Sequence, residues 1–119
     1  MDGGSQALAL EQRSPTSHCT PETLKLRSRL QHYREQILAI AQEYGASQVR
    51  VFGSVVRGEA TADSDIDFLV EMGSDRSMLD RIGVRLALAD LLGCPVDVVT
   101  LRNIREPWRD RIEREAVWL

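Results

Sequence analysis

The sequence predicts an α/β (α+β) domain, a small mixed β-sheet of about three strands flanked by helices. Segments with apolar residues every three or four positions alternate with short β-branched segments, in the order α-β-α-β-α-β-α. A chain of 119 residues can bury one hydrophobic core rather than two. We therefore expect one domain at residues 21–119. Residues 1–20 are rich in Gly, Ser, Pro and Thr without periodicity, which predicts a flexible N-terminal tail.

The first helix is predicted to begin at Thr20, whose side chain can cap the helix, and the proline that follows suits the first helical position. An apolar stripe then runs from Leu26 to Tyr44 in steps of three and four residues. Gly45 is the expected end of this helix, since glycine readily adopts the left-handed conformation after a last turn.

Three short segments are predicted to be strands. Residues 48–52 are rich in β-branched and aromatic side chains and end at the dipeptide Gly53-Ser54. A polar connection leads to the second strand at residues 65–70, and the third strand covers residues 96–99. Three strands covered by helices are the simplest packing of this order of elements.

Two more helices complete the predicted domain. Residues 78–92 have helical periodicity and precede the stop signal Gly93, and they place four apolar residues on one face: Leu79, Ile82, Leu86 and Ala89. Pro107 is expected to open a short last helix, in which three apolar side chains can face the core: Trp108, Ile112 and Ala116.

Composition excludes several classes of protein. Eighteen acidic residues oppose fifteen basic ones, for a net charge of −3, which argues against direct nucleic-acid binding through phosphates. The longest apolar run, residues 37–41, is far below the roughly 20 residues that span a bilayer. The first residues do not resemble a secretory signal. Cys19 and Cys94 are too few for a disulfide framework and lack zinc-site spacing, so we expect a cytoplasmic protein without membrane contact.

Three aspartates stand in or beside predicted strands. Asp65 and Asp67 are two residues apart, and a period of two places both carboxylates on one face of the sheet. Two like charges held side by side repel, and a divalent cation would compensate them. Asp97 lies between valines in the third strand and needs a partner of its own. If that strand pairs beside the second, the three carboxylates can form a two-metal site for phosphate chemistry.

The dipeptide Gly53-Ser54 is the expected phosphate-binding element. It follows the first strand, where a short helical turn could start at Ser54. Glycine permits a close backbone approach, and the N–H groups of the turn with the serine hydroxyl can hold phosphate oxygens. The combined spacing, Gly-Ser-x10-Asp-x-Asp, is much more specific than a lone Gly-Ser.

The sequence resembles the DNA polymerase beta-like nucleotidyltransferase superfamily, and in particular its minimal nucleotidyltransferase (MNT) branch. The resemblance covers roughly residues 24–119. Four segments carry it: residues 52–58 (FGSVVRG), 64–70 (SDIDFLV), 96–99 (VDVV) and 109–117 (RDRIEREAV). Proteins of this branch are typically antitoxins encoded beside a HEPN-domain ribonuclease toxin.

The resemblance implies a site, cofactors and a partner. Gly53 and Ser54 would bind the triphosphate of ATP, with Arg57 and Ser64 of the matching segments completing the nucleotide-binding set. Two Mg²⁺ ions would be held by the residues expected to be catalytic: Asp65, Asp67 and Asp97. The expected activity is transfer of AMP from ATP to a tyrosine hydroxyl of the HEPN toxin, within a hetero-oligomer of the two proteins.

Two other functions stay open from the sequence. One is a binding-only antitoxin that blocks its toxin sterically and leaves the site unused. The other is nucleotidyl transfer to a small molecule such as an aminoglycoside, although such enzymes usually need a second domain around the acceptor. The sequence also departs from the resembled pattern at Val55, often Arg or Tyr in the family, so one polar contact to the nucleotide or acceptor is expected to be missing.

Overall fold

The computed structural model describes residues 19–119, and the predicted tail at residues 1–20 lies almost wholly outside that range. The helices are α1 (Pro21–His32), α2 (Arg34–Glu43), α3 (Ser54–Arg57), α4 (Met78–Leu92) and α5 (Trp108–Glu115), with a 3-10 turn at Leu101–Asn103. The strands are β1 (Ala46–Phe52), β2 (Ile66–Met72), β3 (Val96–Val99) and β4 (Val117–Trp118).

The four strands form one mixed sheet in the order β3-β2-β1-β4. β1 runs antiparallel to β2 and β4, and β2 runs parallel to β3. The predicted fold class is therefore confirmed, but the sheet has one strand more than the three expected. The extra strand is β4, where Val117 pairs with Val51 and Trp118 with Arg50. Two residues carry no periodicity, so a strand this short leaves no signal in the sequence.

The helices cover the sheet and enclose the core. Its largest fully buried side chains come from the first two helices and from β2: Leu30, Ile37, Ile66, Phe68 and Leu69. The described part of the chain contains no helix whose length and apolar character would let it cross a bilayer.

The predicted first helix is in fact two helices. α1 ends and α2 begins at Tyr33, whose φ of −100° and ψ of 14° lie outside the α-helical region. Thr20 caps α1 as expected, because its side chain accepts a hydrogen bond from the Thr23 N–H at 3.1 Å. The break lets each shorter helix bury its own apolar residues, Leu26 and Leu30 from α1 and Ile37 and Ala41 from α2.

The bounds of α4 are confirmed, but the apolar face that the sequence singled out is largely exposed to solvent. Leu79 is 77% exposed and Leu86 55%, while the side chains that α4 buries are Val84, Leu88 and Leu92. This helix carries apolar residues on two faces, and periodicity alone does not show which face the sheet covers.

The last helix begins at Trp108, directly after Pro107 as predicted, yet it does not pack into the core. Trp108 is 57% exposed, Ile112 and Ala116 are only partly buried, and α5 contributes no buried residue. The expectation that these side chains face the core is therefore wrong. The buried side chains of this region are instead Val117 of β4 and Leu119, which reach the core.

Candidate active site

A row of side chains crosses three adjacent strands at one end of the sheet. Asp67 of β2 lies opposite Phe52 of β1 on one side and opposite Asp97 of β3 on the other. Asp65 precedes β2 by one residue. Asp67 is partly buried, whereas Asp65 and Asp97 are exposed. Asp97 was expected to join the other two aspartates only if the third strand paired beside the second, and β3 does pair beside β2.

The electrostatic environment of Asp67 disfavours its ionised form. The pKa of the Asp67 carboxyl is raised to about 6, mainly by burial and further by the negative charges of Asp97, Asp65 and Glu115. Arg57 acts in the opposite direction and lowers it. A carboxylate held among like charges in a cleft is a functional-site candidate, since a bound cation would remove the repulsion.

Gly53 places the chain directly against Asp67. Its φ of 83° and ψ of −156° are accessible to glycine and strained for other residues. A Cβ added at this position would overlap Oδ2 of Asp67. Backbone conformation and close approach therefore both require glycine, and α3 begins at the next residue. The first N–H groups of a helix have no acceptor within that helix, so this turn presents donors beside the aspartates.

The turn that contains α3 is held in place by α1. Arg27 is 5% exposed, and its Nε and Nη2 donate hydrogen bonds of 2.9 Å to the carbonyl oxygens of Val55 and Val56. The Thr23 hydroxyl accepts a 2.9 Å bond from the Ala60 N–H. A buried guanidinium and a buried hydroxyl thus fix the end of α3 and the loop that follows it.

A cleft of about 500 Å³ opens between this turn and α5. It is lined from the sheet and α3 by Phe52, Gly53, Arg57, Glu59 and Asp67, and from α5 by Trp108, Arg111, Ile112 and Glu115. The Arg111 guanidinium lies over the Trp108 ring, 5.5 Å from its centroid. The cleft therefore combines the most perturbed carboxylate, an arginine of α3, and the charged and aromatic side chains of α5.

Glu115 joins the two walls of the cleft. Its Oε2 accepts a 2.6 Å hydrogen bond from the backbone N–H of Gly53, and its Oε1 accepts a 2.9 Å bond from Nη1 of Arg57. The bond to Glu115 is the main cause that raises the pKa of the Arg57 guanidinium. Arg57 also donates to Glu59 at 3.1 Å.

The structure brings together some of the residues expected to form the site and leaves others at its margin. Gly53, Arg57 and Asp67 line the cleft. Ser54 is the first residue of α3 and is partly buried. The Ser64 hydroxyl instead accepts a 2.8 Å bond from the Thr61 N–H, within the loop that precedes β2.

Val55 and Glu115 were not among the residues expected to form the site. Val55 is fully buried in the core, so the position that departs from the resembled pattern directs its side chain away from the cleft. Glu115 lines the cleft but received no role from the sequence. The sequence signal for Glu115 was that residues 109–117 match the resembled family. That match gave no function to any residue of the segment.

The carboxylates suit a divalent cation in their chemistry. Asp67 and Asp97 are neighbours in the strand register, and Asp65 is near enough to raise the pKa of Asp67. Oxygen ligands of this kind are those that Mg²⁺ prefers. Within residues 19–119, however, no three His, Cys, Asp or Glu side chains stand close enough together to form a metal-binding cluster. Asp67 and Asp97 therefore form a pair of adjacent carboxylates that suits Mg²⁺, and Asp65 is a third carboxylate nearby.

A glycine turn beside paired aspartates on a small mixed sheet is the arrangement of a minimal nucleotidyltransferase. The family model described as "Nucleotidyltransferase domain" matches residues 34–119, and the chain belongs to this family.

Relatives by sequence are named for adenylyl transfer to proteins. A Methanocaldococcus jannaschii protein named as a candidate protein adenylyltransferase is 39% identical over 84 residues, covering 71% of this chain and 90% of the relative. The protein adenylyltransferase MntA of Thermococcus cleftensis is 36% identical over 80 residues, covering 67% of this chain and 81% of MntA.

Solved structures share the fold. A structure described as a candidate minimal nucleotidyltransferase has a TM-score of 0.71 and 44% identity, and the match covers 77% of this chain and 94% of that one. A toxin–antitoxin structure with AMP-PNP has a TM-score of 0.60 and 23% identity, over 69% of this chain and 68% of the other. The second likeness shows the fold alone.

Proposed function

We propose that this protein is an antitoxin that transfers AMP from ATP to a tyrosine hydroxyl of a partner HEPN ribonuclease toxin and so neutralises it. The observation that carries the proposal is the pairing of Asp67 with Asp97 directly beside the Gly53 turn. This pairing supports a site in which a cation held by the carboxylates would compensate phosphate charge beside the backbone donors of the turn. The sequence relatives named as protein adenylyltransferases support a protein acceptor.

The α3 turn is the proposed triphosphate site. The proposed donors to phosphate oxygens belong to α3 and to the glycine before it. They are the Gly53 and Ser54 backbone N–H groups, the Ser54 hydroxyl and the Arg57 guanidinium. Arg27 fixes the backbone of this turn through the carbonyl oxygens of Val55 and Val56, so the backbone itself needs little rearrangement when a nucleotide binds. The serine in the loop before β2, Ser64, belongs to the proposed set at its margin.

The proposed reaction is an in-line displacement at the α-phosphate. The tyrosine oxygen forms a bond to the α-phosphorus while the bond from that phosphorus to the bridging oxygen of the β-phosphate breaks, and pyrophosphate leaves. The hydroxyl proton passes to the exposed Asp97 carboxylate. Asp67 and Asp97, with Asp65 nearby, would hold Mg²⁺, whose charge would offset that of the phosphates and favour the deprotonated acceptor.

The exposed position of Asp97 favours a large acceptor. β3 is an edge strand of the sheet, and Asp97 is open to solvent on it. A folded partner that docks at this edge can deliver a tyrosine to the carboxylates and exclude water from the reaction by its own surface. Two solved structures that share this fold are toxin–antitoxin structures, and the proposal requires an assembly of that kind.

The test is transfer of label to a cognate HEPN protein. With Mg²⁺ and ATP labelled at the α-phosphate, we expect label on the toxin, and we expect none when the label is on the γ-phosphate or the acceptor tyrosine is replaced by phenylalanine. Mass spectrometry of the co-purified toxin should show added AMP. An unmodified toxin that is still neutralised would instead support a binding-only antitoxin. Label on an added aminoglycoside, with none on protein, would support a small-molecule transferase.

A further inference from the structure

The carboxylate of Glu115 occupies donors that the proposed function gives to phosphate. Its two oxygens accept from the Gly53 N–H at 2.6 Å and from Arg57 Nη1 at 2.9 Å. We propose that Glu115 is a phosphate substitute that latches α5 over the cleft, and that the triphosphate of the nucleotide displaces it. This inference rests on the proposed function, because the displacing group is the nucleotide of that reaction.

A carboxylate and a phosphate compete for these two donors for simple chemical reasons. Both are anions with several acceptor oxygens, and both form charge-assisted bonds to a guanidinium and to the N–H groups at a helix start. The Gly53 N–H is a single donor and already points at Glu115. A triphosphate beside Glu115 would also meet its negative charge, as Asp67 already does. Bound triphosphate and the latched Glu115 are therefore alternatives.

α5 can leave the cleft because little of it is buried. No residue of the helix is buried, and Trp108 and Arg111 pair with each other on its surface. Asp110 pairs with Arg114 one turn along the same helix. Ala116, the residue after Glu115, is already extended, and β4 follows it as part of the sheet. A change at Ala116 would move α5 without disturbing the pairing of β4 with β1.

The binding experiment uses inorganic tripolyphosphate and ATP, each with Mg²⁺, on the full chain. Glu115→Gln keeps the size of the side chain and removes its charge, and Glu113→Gln is the matched control, since Glu113 is exposed on the same helix. We expect Glu115→Gln to bind tripolyphosphate at least threefold more tightly than wild type, with little change for Glu113→Gln. A merely structural role would weaken binding instead, so equal or weaker binding by Glu115→Gln would overturn the latch.

A second measurement on wild type covers the case in which Glu115→Gln does not fold. Hydrogen–deuterium exchange at residues 108–115 should become faster when tripolyphosphate is added, because the latch opens. Unchanged or slower exchange with bound tripolyphosphate contradicts release of α5 while leaving nucleotidyl transfer intact. If wild type binds neither tripolyphosphate nor ATP, the proposed function fails and the latch fails with it.

Discussion

The turn that contains α3, the proposed phosphate site, is held from two sides by contacts of different kinds. On the α1 side, the buried Arg27 guanidinium donates to the carbonyl oxygens at the end of α3, and Thr23 bonds the following loop. On the α5 side, Glu115 accepts bonds from Gly53 and Arg57; its own side chain is 18% exposed and that of Arg57 is 46% exposed, so this ion pair is partly open to solvent. Buried polar groups cost free energy when their partners are lost, whereas exposed ion pairs exchange readily with water. One side is therefore a permanent support, and the other can open.

The largest expected effect lies between these two sides, at the aspartates. Asp65→Asn combined with Asp67→Asn should lower AMP transfer by about a thousandfold or more, since neutral amides would hold poorly the Mg²⁺ that compensates phosphate charge. The fold should survive, because the change removes repulsion among like charges. Asp63→Asn, an exposed residue of the preceding loop, is the matched control and should leave transfer near the wild-type rate. Wild-type turnover by the double variant would remove the carboxylates from the mechanism.

The comparison itself is tested by removing one arginine from each side. Arg27→Met should lower the free energy of unfolding by about 3 kcal/mol, because two carbonyl oxygens lose buried, charge-assisted bonds. Arg57→Met should cost less than about 1 kcal/mol, since its ion pairs are partly exposed. Urea unfolding curves of the two variants measure both values. Similar losses would show that the α5 side is as firmly built as the α1 side.

A smaller effect is expected on the pH dependence of stability. Because the pKa of Asp67 is about 6 in the folded protein and 3.8 is its ordinary value, the folded state binds a proton between these pH values that the unfolded state has lost. For this group, stability is therefore highest at low pH, falls as the pH rises from about 4 to about 6, and stays reduced above that. Allowing for solvent screening, the loss amounts to about 2 kcal/mol.

Asp67→Asn should remove this pH dependence in the metal-free protein. The variant should be more stable than wild type near neutral pH and should match it near pH 4, as measured by urea unfolding across the range. A wild-type profile that the substitution leaves unchanged would assign the titration to another group.

Much of the site was predictable because its signals are local. Gly53, Asp65 and Asp67 lie within fifteen residues of one another. The second strand was expected to begin at Asp65 and to place both aspartates on one face, but β2 begins at Ile66, so Asp65 lies just before it. The bounds of α4 were expected from its periodicity and the glycine stop signal, and those of β3 from its β-branched residues. The structure confirms both. Periodicity was a poorer guide to which side chains are buried. α4 has apolar residues on two faces, and α5 buries none of its residues.

The sequence by itself determined the order of the elements from β1 to β3, the glycine turn and the spacing of its aspartates, because each depends on residues a few positions apart. Only the tertiary structure decided that β3 pairs beside β2 and brings Asp97 to Asp67, that β4 closes the other edge, and that Glu115 reaches Gly53 across 62 positions of sequence. Such contacts depend on which surfaces bury most apolar area together, and that balance is settled by the whole chain rather than by any one segment.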